Sequence, residues 1–257
     1  MKKLSVVIPA WNEQGAIAQV VERTLAVRDA LRLEAGIAEL EILIVDDGST
    51  DDTARIVDQL AASRQDGKVR IRSLHHTANR GYGAALQSGL TEATGDLLAF
   101  LDADCTYPPE QLPALCRPFR KPGLDMVVGD RMTGPGSRMP ALRRLGNLFF
   151  AFLVNGLTGA QIADCSSGMR VLPAVTWEKL GALPTGLDFT PAMTVRALRH
   201  GLVVHEVPIP YSERVGSSKL HIVRDGLRFL ATILREARAA QPRDVWAPWE
   251  GSSAGPF

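Results

Sequence analysis

An α/β fold with a mainly parallel central sheet is predicted by three features of this sequence. Between Leu4 and Val128, five short apolar runs alternate with amphipathic segments, the pattern of repeated βα units. One of these runs, Leu98-Ala99-Phe100-Leu101, follows the turn-like Thr94-Gly95-Asp96 and reads as a strand buried on both faces. Three of the runs also stop at acidic residues, the most abrupt stop being Asp102-Ala103-Asp104. The carboxyl ends of strands in an open parallel sheet share one rim, and ligands bind there.

The elements follow in order. Leu4–Ile8 is the first strand, and Ile17, Val20, Val21 and Leu25 then recur at helical spacing. Glu41–Val45 is the second strand. Ser49 or Thr50 is expected to cap the next helix, with Asp51 and Asp52 in its first turn and Ile56, Val57 and Leu60 on its buried face. Val69–Leu74 is the third strand, and a helix from about Tyr82 to Ala93 turns Ala85, Leu86, Gly89 and Leu90 inward. After the strand ending at Asp102, a short helix runs from Pro108-Pro109 to about Phe119, and Leu124–Val128 forms a fifth strand ending in Gly129-Asp130-Arg131.

Beyond Arg131 the character changes. Residues 132–140 are rich in Pro, Gly and small polar residues and read as a loop. Residues 141–157 mix Arg143 and Arg144 with Leu145, Leu148, Phe149, Phe150, Phe152, Leu153 and Val154. A helix over Phe189–Arg199, a strand over Leu202–Val207 and a long helix over Leu220–Ala239 follow. Residues 1–240 are therefore expected to form one domain, with a ligand-binding half at 4–131 and a second half at 132–240. Residues 241–257, which hold Trp246 and Trp249 among Pro, Gly and Ser, are expected to be a disordered tail.

Composition narrows the function. With 257 residues the chain can bury a full core. A formal charge of +1 argues against a broad nucleic-acid surface, which needs a basic excess. Cys105, Cys116 and Cys165 are too few and too irregular for a zinc site, and an odd number suits a disulfide framework poorly. They read as reduced thiols, and the expected location is the cytoplasm. No signal-peptide layout precedes Leu4, and no run of about 18 apolar residues occurs, so a membrane span is not expected.

Asp102 and Asp104 carry the chemistry. Two carboxylates held close repel unless a proton or cation intervenes, and oxygen ligands of this kind suit Mg²⁺ or Mn²⁺ bridging to substrate phosphates. Strand ends aligned on one rim would bring Glu13, Asp46 and Asp47 to the same place. Taken alone, Asp46 and Asp47 would read as turn and cap residues. In this combination some of the acids would bind the cation while others accept hydrogen bonds from a base or sugar.

The ordered set Val7-Ile8-Pro9-Ala10-Trp11-Asn12-Glu13, Val45-Asp46-Asp47-Gly48-Ser49-Thr50-Asp51, Asn79-Arg80-Gly81-Tyr82-Gly83-Ala84-Ala85 and Asp102-Ala103-Asp104 resembles the family 2 glycosyltransferases. These have a GT-A type nucleotide-sugar-binding fold. Asp104-Cys105-Thr106-Tyr107-Pro108-Pro109-Glu110, Val128-Gly129-Asp130-Arg131, Asp164-Cys165-Ser166-Ser167-Gly168-Met169-Arg170 and Arg214-Val215-Gly216-Ser217-Ser218-Lys219-Leu220 are similar to the dolichol-phosphate mannosyltransferase branch and its bacterial polyprenyl-phosphate relatives. The resemblance covers about residues 4–235.

It implies that Pro9, Trp11, Glu13, Val45, Asp46 and Asp47 bind the nucleoside, with Trp11 where the family usually has Tyr. Asp102 and Asp104 would hold the donor diphosphate through Mg²⁺ or Mn²⁺, with Ala103 alongside and Thr106 where relatives often have a Gln metal ligand. Arg131, Arg214 and Lys219 would bind donor or acceptor phosphates, Arg131 having a catalytic part with the two aspartates. A Gln-x-x-Arg-Trp sequence is missing, so one sugar per encounter is implied and not processive synthesis.

The implied reaction moves a hexose from a nucleotide diphosphate to a polyprenyl phosphate at the cytoplasmic face of a membrane. Residues 141–157 would lie in the membrane interface as Arg-bearing amphipathic helices do, while core packing and interfacial placement are both open for 220–239. Trp246 and Trp249 read as part of the free tail rather than as headgroup anchors. A soluble transferase acting on a hydroxyl is the alternative, for which Asp188 would be the candidate base, although it reads more simply as a helix N-terminal residue. A nucleotide-sugar-binding protein without turnover is a further one.

Overall fold

A computed structural model describes residues 2–63, 67–215 and 221–239. Strand β1 (Lys2–Ala10) leads into α1 (Ile17–Ala26), the short α2 (Arg28–Ala30) with a π-helical turn at Leu31–Ala35, and β2 (Ile37–Asp46). Next come α3 (Thr53–Ser63), β3 (Val69–His75), α4 (Tyr82–Glu92), β4 (Leu97–Phe100), α5 (Leu112–Cys116) and β5 (Met126–Asp130). The second half contains α6 (Ala141–Thr158), β6 (Arg170–Pro173), α7 (Ala174–Leu180), α8 (Phe189–Arg199), β7 (Val204–Pro208) and α9 (Ile222–Arg238).

The strands form one sheet in the order β3-β2-β1-β4-β6-β5-β7. All pairings are parallel except those of β6, which runs antiparallel to both β4 and β5. The mainly parallel α/β prediction holds. Neither β6 nor α7 is marked in the sequence pattern, because β6 has four residues, begins at a charged Arg170 and ends at Pro173.

Alternation along β1 assigns the two faces. Val6 and Ile8 join Ile17, Val21, Val57 and Leu115 in one core, while Val7 joins Leu86, Leu90, Phe100 and Phe189 in the other. Full burial of such side chains stabilises by about 1.5–3 kcal/mol each before the entropy of ordering is counted. Gly89 lets α4 lie directly on the sheet, since a Cβ there would stand 2.4 Å from Val7 Cγ1.

The cap prediction needs correction. Helix α3 begins at Thr53, so Asp51 and Asp52 precede it, and Asp51 Oδ1 accepts from the Thr53 N–H and hydroxyl. Ser49 and Thr50 instead meet Asn12, whose N–H donates to Ser49 Oγ and whose Oδ1 accepts from the Thr50 N–H. That exchange ties the loop after β1 to the loop after β2.

Cys105, Cys116 and Cys165 are each buried and unpaired. No helix among the described residues is long and apolar enough to cross a membrane. The tail at 241–257, with Trp246 and Trp249, lies outside the described residues.

Candidate active site

A cleft of about 880 Å³ opens at the carboxyl ends of β1, β2 and β4. Pro9, Trp11, Glu13, Asp47, Asp102, Ala103, Asp104, Arg131 and Arg214 all line it. These nine predicted positions therefore converge, although they come from loops spread along most of the chain.

Three predicted positions do not behave as expected, and a fourth cannot be placed. Val45 is fully buried in the sheet core and does not line the cleft. Asp46 spends its carboxylate locally: Oδ1 accepts from the Ser49 N–H at 3.1 Å and Oδ2 meets His75 Nδ1 at 3.2 Å. Thr106 turns its hydroxyl to Asp104 Oδ1 at 2.5 Å, so it orients the carboxylate and does not face the cleft as a third ligand. Lys219 lies outside the described residues.

The rest of the Val45-Asp46-Asp47-Gly48 motif shapes the rim. Asp47 Oδ1 accepts from the Arg80 N–H at 2.9 Å and Oδ2 from the Gly81 N–H at 2.8 Å, which pins the Asn79-Arg80-Gly81 loop to β2. His76 Nδ1 donates to the same carboxylate at 2.6 Å while its Nε2 meets Ser88 Oγ at 2.9 Å. Gly48 has φ +67°, and a Cβ there would stand 2.5 Å from the Ala78 carbonyl carbon, so only glycine fits.

Past β4 the backbone bends sharply. Cys105 has φ +64°, a left-handed conformation that a non-glycine residue adopts at a cost, and it lies between Asp104 and Thr106. The Asp104 and Thr106 carbonyls accept from the Val215 and Ser212 N–H groups, so the 211–215 segment is strapped across this bend. Arg214 then bridges two acids, Glu13 Oε1 at 2.8 Å and Asp104 Oδ2 at 3.1 Å.

Asp102 accepts a hydrogen bond from the Tyr82 hydroxyl at 2.8 Å. On another flank Gly168 replaces a side chain with space, because a Cβ there would lie 2.9 Å from both carboxylate oxygens. The Gly168 N–H is itself held by Tyr107 Oη at 2.7 Å. Beneath this loop the fully buried Arg170 donates to the Cys165 and Ser167 carbonyls, and burial lowers its pKa to about 10.

Arg131 is not an unencumbered phosphate ligand. Its Nε and Nη2 donate to Asp164 Oδ2 and Oδ1 at 2.6 and 2.7 Å, and its guanidinium lies over the rings of Tyr107 and Tyr211. Burial opposes both charges, yet the mutual attraction prevails: Asp164 is held below the usual carboxylate range and Arg131 above its ordinary value. Asp188, the residue just before α8, gives Oδ2 to the Thr232 hydroxyl at 2.7 Å and does not line the cleft. A general-base part for it receives no support.

The donor set suits a divalent cation. Burial, and then the neighbouring Asp104 charge, push the Asp102 carboxyl up to about 7, and Tyr82, Arg214 and Arg131 offset this only in part. Among the described residues no three of His, Cys, Asp and Glu gather as a ligand set. Protein ligation would come from Asp102 and Asp104, leaving the remaining positions to diphosphate oxygens and water, as Mg²⁺ tolerates.

The far half of the cleft is built by α6 and α9, with Leu142, Leu145, Phe149, Phe150 and Phe229 on its wall beside Arg143, Arg224, Asp225 and Arg228. Phe150 and Phe229 join the two helices, their ring centroids 5.7 Å apart. Only Ala151 and Val154 of α6 are buried. Leu145, Phe152, Val223 and Leu227 are each more than 60% exposed, a concentration of apolar side chains beyond the scatter of an ordinary surface.

Tyr82, His76, Tyr107, Tyr211, Asp164 and Gly168 were not among the predicted site residues. Tyr82 lies within a quoted motif, as do Tyr107, Asp164 and Gly168, but motif membership does not say which carboxylate or cation a residue will meet. Nothing local in the sequence marks His76 or Tyr211.

The sequence pattern described as "Glycosyl transferase family 2" matches residues 5–178. The chain is 34% identical over 237 residues to the low-salt glycan biosynthesis hexosyltransferase Agl6 of Haloferax volcanii, covering 91% of this chain and 54% of that protein. It therefore spans about half the length of that relative. It is 33% identical to the dolichyl-phosphate hexose transferase of the same organism, covering 84% of this chain and 86% of that one. The undecaprenyl-phosphate 4-deoxy-4-formamido-L-arabinose transferase of Klebsiella pneumoniae is 30% identical, with 87% and 64% covered. Among solved structures, glucosyl-3-phosphoglycerate synthase from Mycobacterium tuberculosis, in complex with Mn²⁺, UDP-glucose and phosphoglyceric acid, shares the fold. Its TM-score is 0.68 at 20% identity, covering 94% of this chain and 81% of that chain.

Proposed function

The chain belongs to glycosyl transferase family 2, and from that premise we propose that it is an inverting, metal-dependent hexosyltransferase acting on a polyprenyl phosphate. It would take one hexose from a nucleotide-diphosphate sugar, with a UDP or GDP carrier. One observation carries this reading: the cavity that holds the carboxylates is also lined by exposed Leu142, Leu145 and Phe149 of α6 and by Phe229 of α9. A donor held at the sheet rim would thus meet an acceptor that arrives along a lipid-facing wall. The family resemblance to dolichyl- and undecaprenyl-phosphate transferases supports the same acceptor class.

The chemistry assigned to the chain is a single in-line displacement. An acceptor phosphate oxygen forms the new bond to the anomeric carbon while the bond to the donor diphosphate breaks, its electron pair leaving with the diphosphate, and the anomeric configuration inverts. A lipid monophosphate has a second pKa of about 6 and is already a nucleophile near neutrality, so no general base is required. That fits Asp188 being engaged elsewhere.

A bound Mg²⁺ or Mn²⁺ would stabilise the charge that develops on the departing diphosphate. Asp102 and Asp104 would hold it. Tyr82 and Thr106 keep these carboxylates oriented, and Trp11 supplies an aromatic wall for the base at the cleft mouth. Arg214, which lines the cleft and pairs with Asp104 and Glu13, would hold these acids in place beside the diphosphate. The apolar face of α6 and α9 would rest on the membrane surface, as amphipathic helices bearing Arg and exposed Leu and Phe do.

The test is an acceptor panel. Labelled UDP- and GDP-sugars are incubated with polyprenyl phosphate and, separately, with water-soluble sugars, polyols and phosphoglycerate, and the label is partitioned between solvents. Label in the organic phase supports the reading. Label confined to water-soluble product would assign the protein to the hydroxyl- or soluble-acceptor class, and binding without transfer to any acceptor would make it a sugar-nucleotide-binding protein.

A further inference from the structure

We propose that Arg228, with Arg224 one helical turn earlier on α9, binds the phosphate of the lipid acceptor. This rests on the polyprenyl-phosphate reading above and deepens it by locating the residues that select the acceptor. Two other cations nearer the carboxylates are committed within the protein. Asp164 occupies Arg131 bidentately, and Glu13 and Asp104 share Arg214.

Arg228 differs. It lines the cleft, it is exposed, and it has no ion-pair or hydrogen-bond partner among the described residues. Its location is nonetheless built. Gly186 leaves the space its guanidinium occupies, since a Cβ on Gly186 would lie 2.8 Å from Arg228 Nη1 and 2.7 Å from Asp188 Oδ1. Asp188 is turned toward Thr232 through its other oxygen.

Arg224 lines the same wall, with Asp225 Oδ1 3.6 Å from its Nε. Asp225 is buried, gives Oδ2 to the His221 N–H and leaves Oδ1 without a hydrogen bond, so it offsets part of the Arg224 charge. Arg143 of α6 lines the same cleft. Arg224 and Arg228 thus present two cations to the cleft, the first offset in part by Asp225, and suit an anion.

Residues four apart on a helix are neighbours, so two guanidinium forks can close on one phosphate, and forked donors match phosphate oxygens two at a time. A neutral hydroxyl acceptor would gain nothing from that excess of charge. Val223 and Leu227 each directly precede one of these arginines and are exposed. An anionic head with an apolar tail matches this alternation, whereas a free phosphate would leave the apolar half of the pattern unused.

Steady-state transfer to polyprenyl phosphate in phosphatidylcholine vesicles tests the site. Arg228→Gln should raise the acceptor KM about tenfold, with kcat and the nucleotide-induced rise in Tm close to those of the parent. Arg228→Lys should recover most of the loss. Gly186→Ala, which removes no charge but fills the space beside Nη1, should also raise the acceptor KM. An acceptor KM in Arg228→Gln equal to the parent's would overturn the proposal. So would an equal weakening of that variant on phosphatidylglycerol vesicles lacking polyprenyl phosphate, which would reduce Arg228 to general surface charge. Failure of the unmodified protein to label any lipid phosphate would instead remove the proposed function, and is recognised without any variant.

Discussion

The Tyr82 hydroxyl donates to Asp102 Oδ1 at 2.8 Å, joining the start of α4 to the carboxylate at the end of β4. One oxygen of Asp102 is thereby oriented by the protein. Tyr82→Phe removes that donor and keeps the ring. A hydrogen bond to a charged group contributes about 1.5–3 kcal/mol, so Mn²⁺ affinity, read as the Mn²⁺-induced rise in Tm, should fall about tenfold or more. Unchanged Mn²⁺ stabilisation in the variant would show that Tyr82 does not orient Asp102.

Asp164 and Arg131 form a buried pair, and removing one partner strands the other. Asp164→Ala should cost about 3–5 kcal/mol in urea unfolding. Arg131→Met with Asp164→Leu should restore much of that stability, because neither charge is then left alone. If Asp164→Ala unfolds with the parent midpoint, Arg131 has another partner and the clamp is wrong.

The high pKa of Asp102 gives an opposite pH signature to that of an ordinary paired carboxylate. Folding raises its value from near 4 to about 7, so the Asp102 contribution to the stability of cation-free protein is complete below about 4 and is lost as the pH rises through about 7. Asp102→Asn should accordingly have a higher Tm than the parent at pH 8 in chelator, and the difference should shrink steadily towards about pH 4. A divalent cation should reverse the order at pH 8 by stabilising the parent alone.

His75 is shifted in the same direction, for a different reason. Burial lowers its pKa, but hydrogen bonds to Asp58 and Asp46 outweigh this and raise it, while Asp58 is lowered by His75. The His75 contribution is complete below about 6.5 and is lost as the pH rises through its higher folded value; that of Asp58 is complete above about 3.9 and is lost at lower pH. His75→Gln should therefore lower Tm more at pH 6 than at pH 9. Equal differences at both would show that the pair adds no charge-dependent stability.

Much of the fold is legible because its signals are local. The run Leu98–Leu101 and the acids that follow it are adjacent in sequence, so both the strand and the rim can be read together. The inward face of α4 likewise follows from spacing alone. Partnerships are not local: Glu13 meets Arg214 across 201 residues and Arg131 meets Asp164 across 33. Sequence spacing identifies Arg131 as a cation at a strand end but cannot show that a carboxylate has already claimed it. Thr106 shows a similar limit, since its motif position suggests a ligand while its hydroxyl serves Asp104. In α6 the Phe and Arg content identifies an unusual surface, and the burial of only two of its residues distinguishes that surface from core.

Cation-dependent transfer bears most directly on the proposed chemistry. Labelled sugar nucleotide and polyprenyl phosphate are incubated with chelator-treated protein, and again after Mn²⁺ or Mg²⁺ is restored, with Asp104→Ala alongside. Organic-phase label is expected to vanish in chelator, to return with the cation in the parent, and to fall at least 100-fold in the variant. Undiminished transfer in chelator, or equal transfer by Asp104→Ala, would contradict a diphosphate held through Asp102 and Asp104.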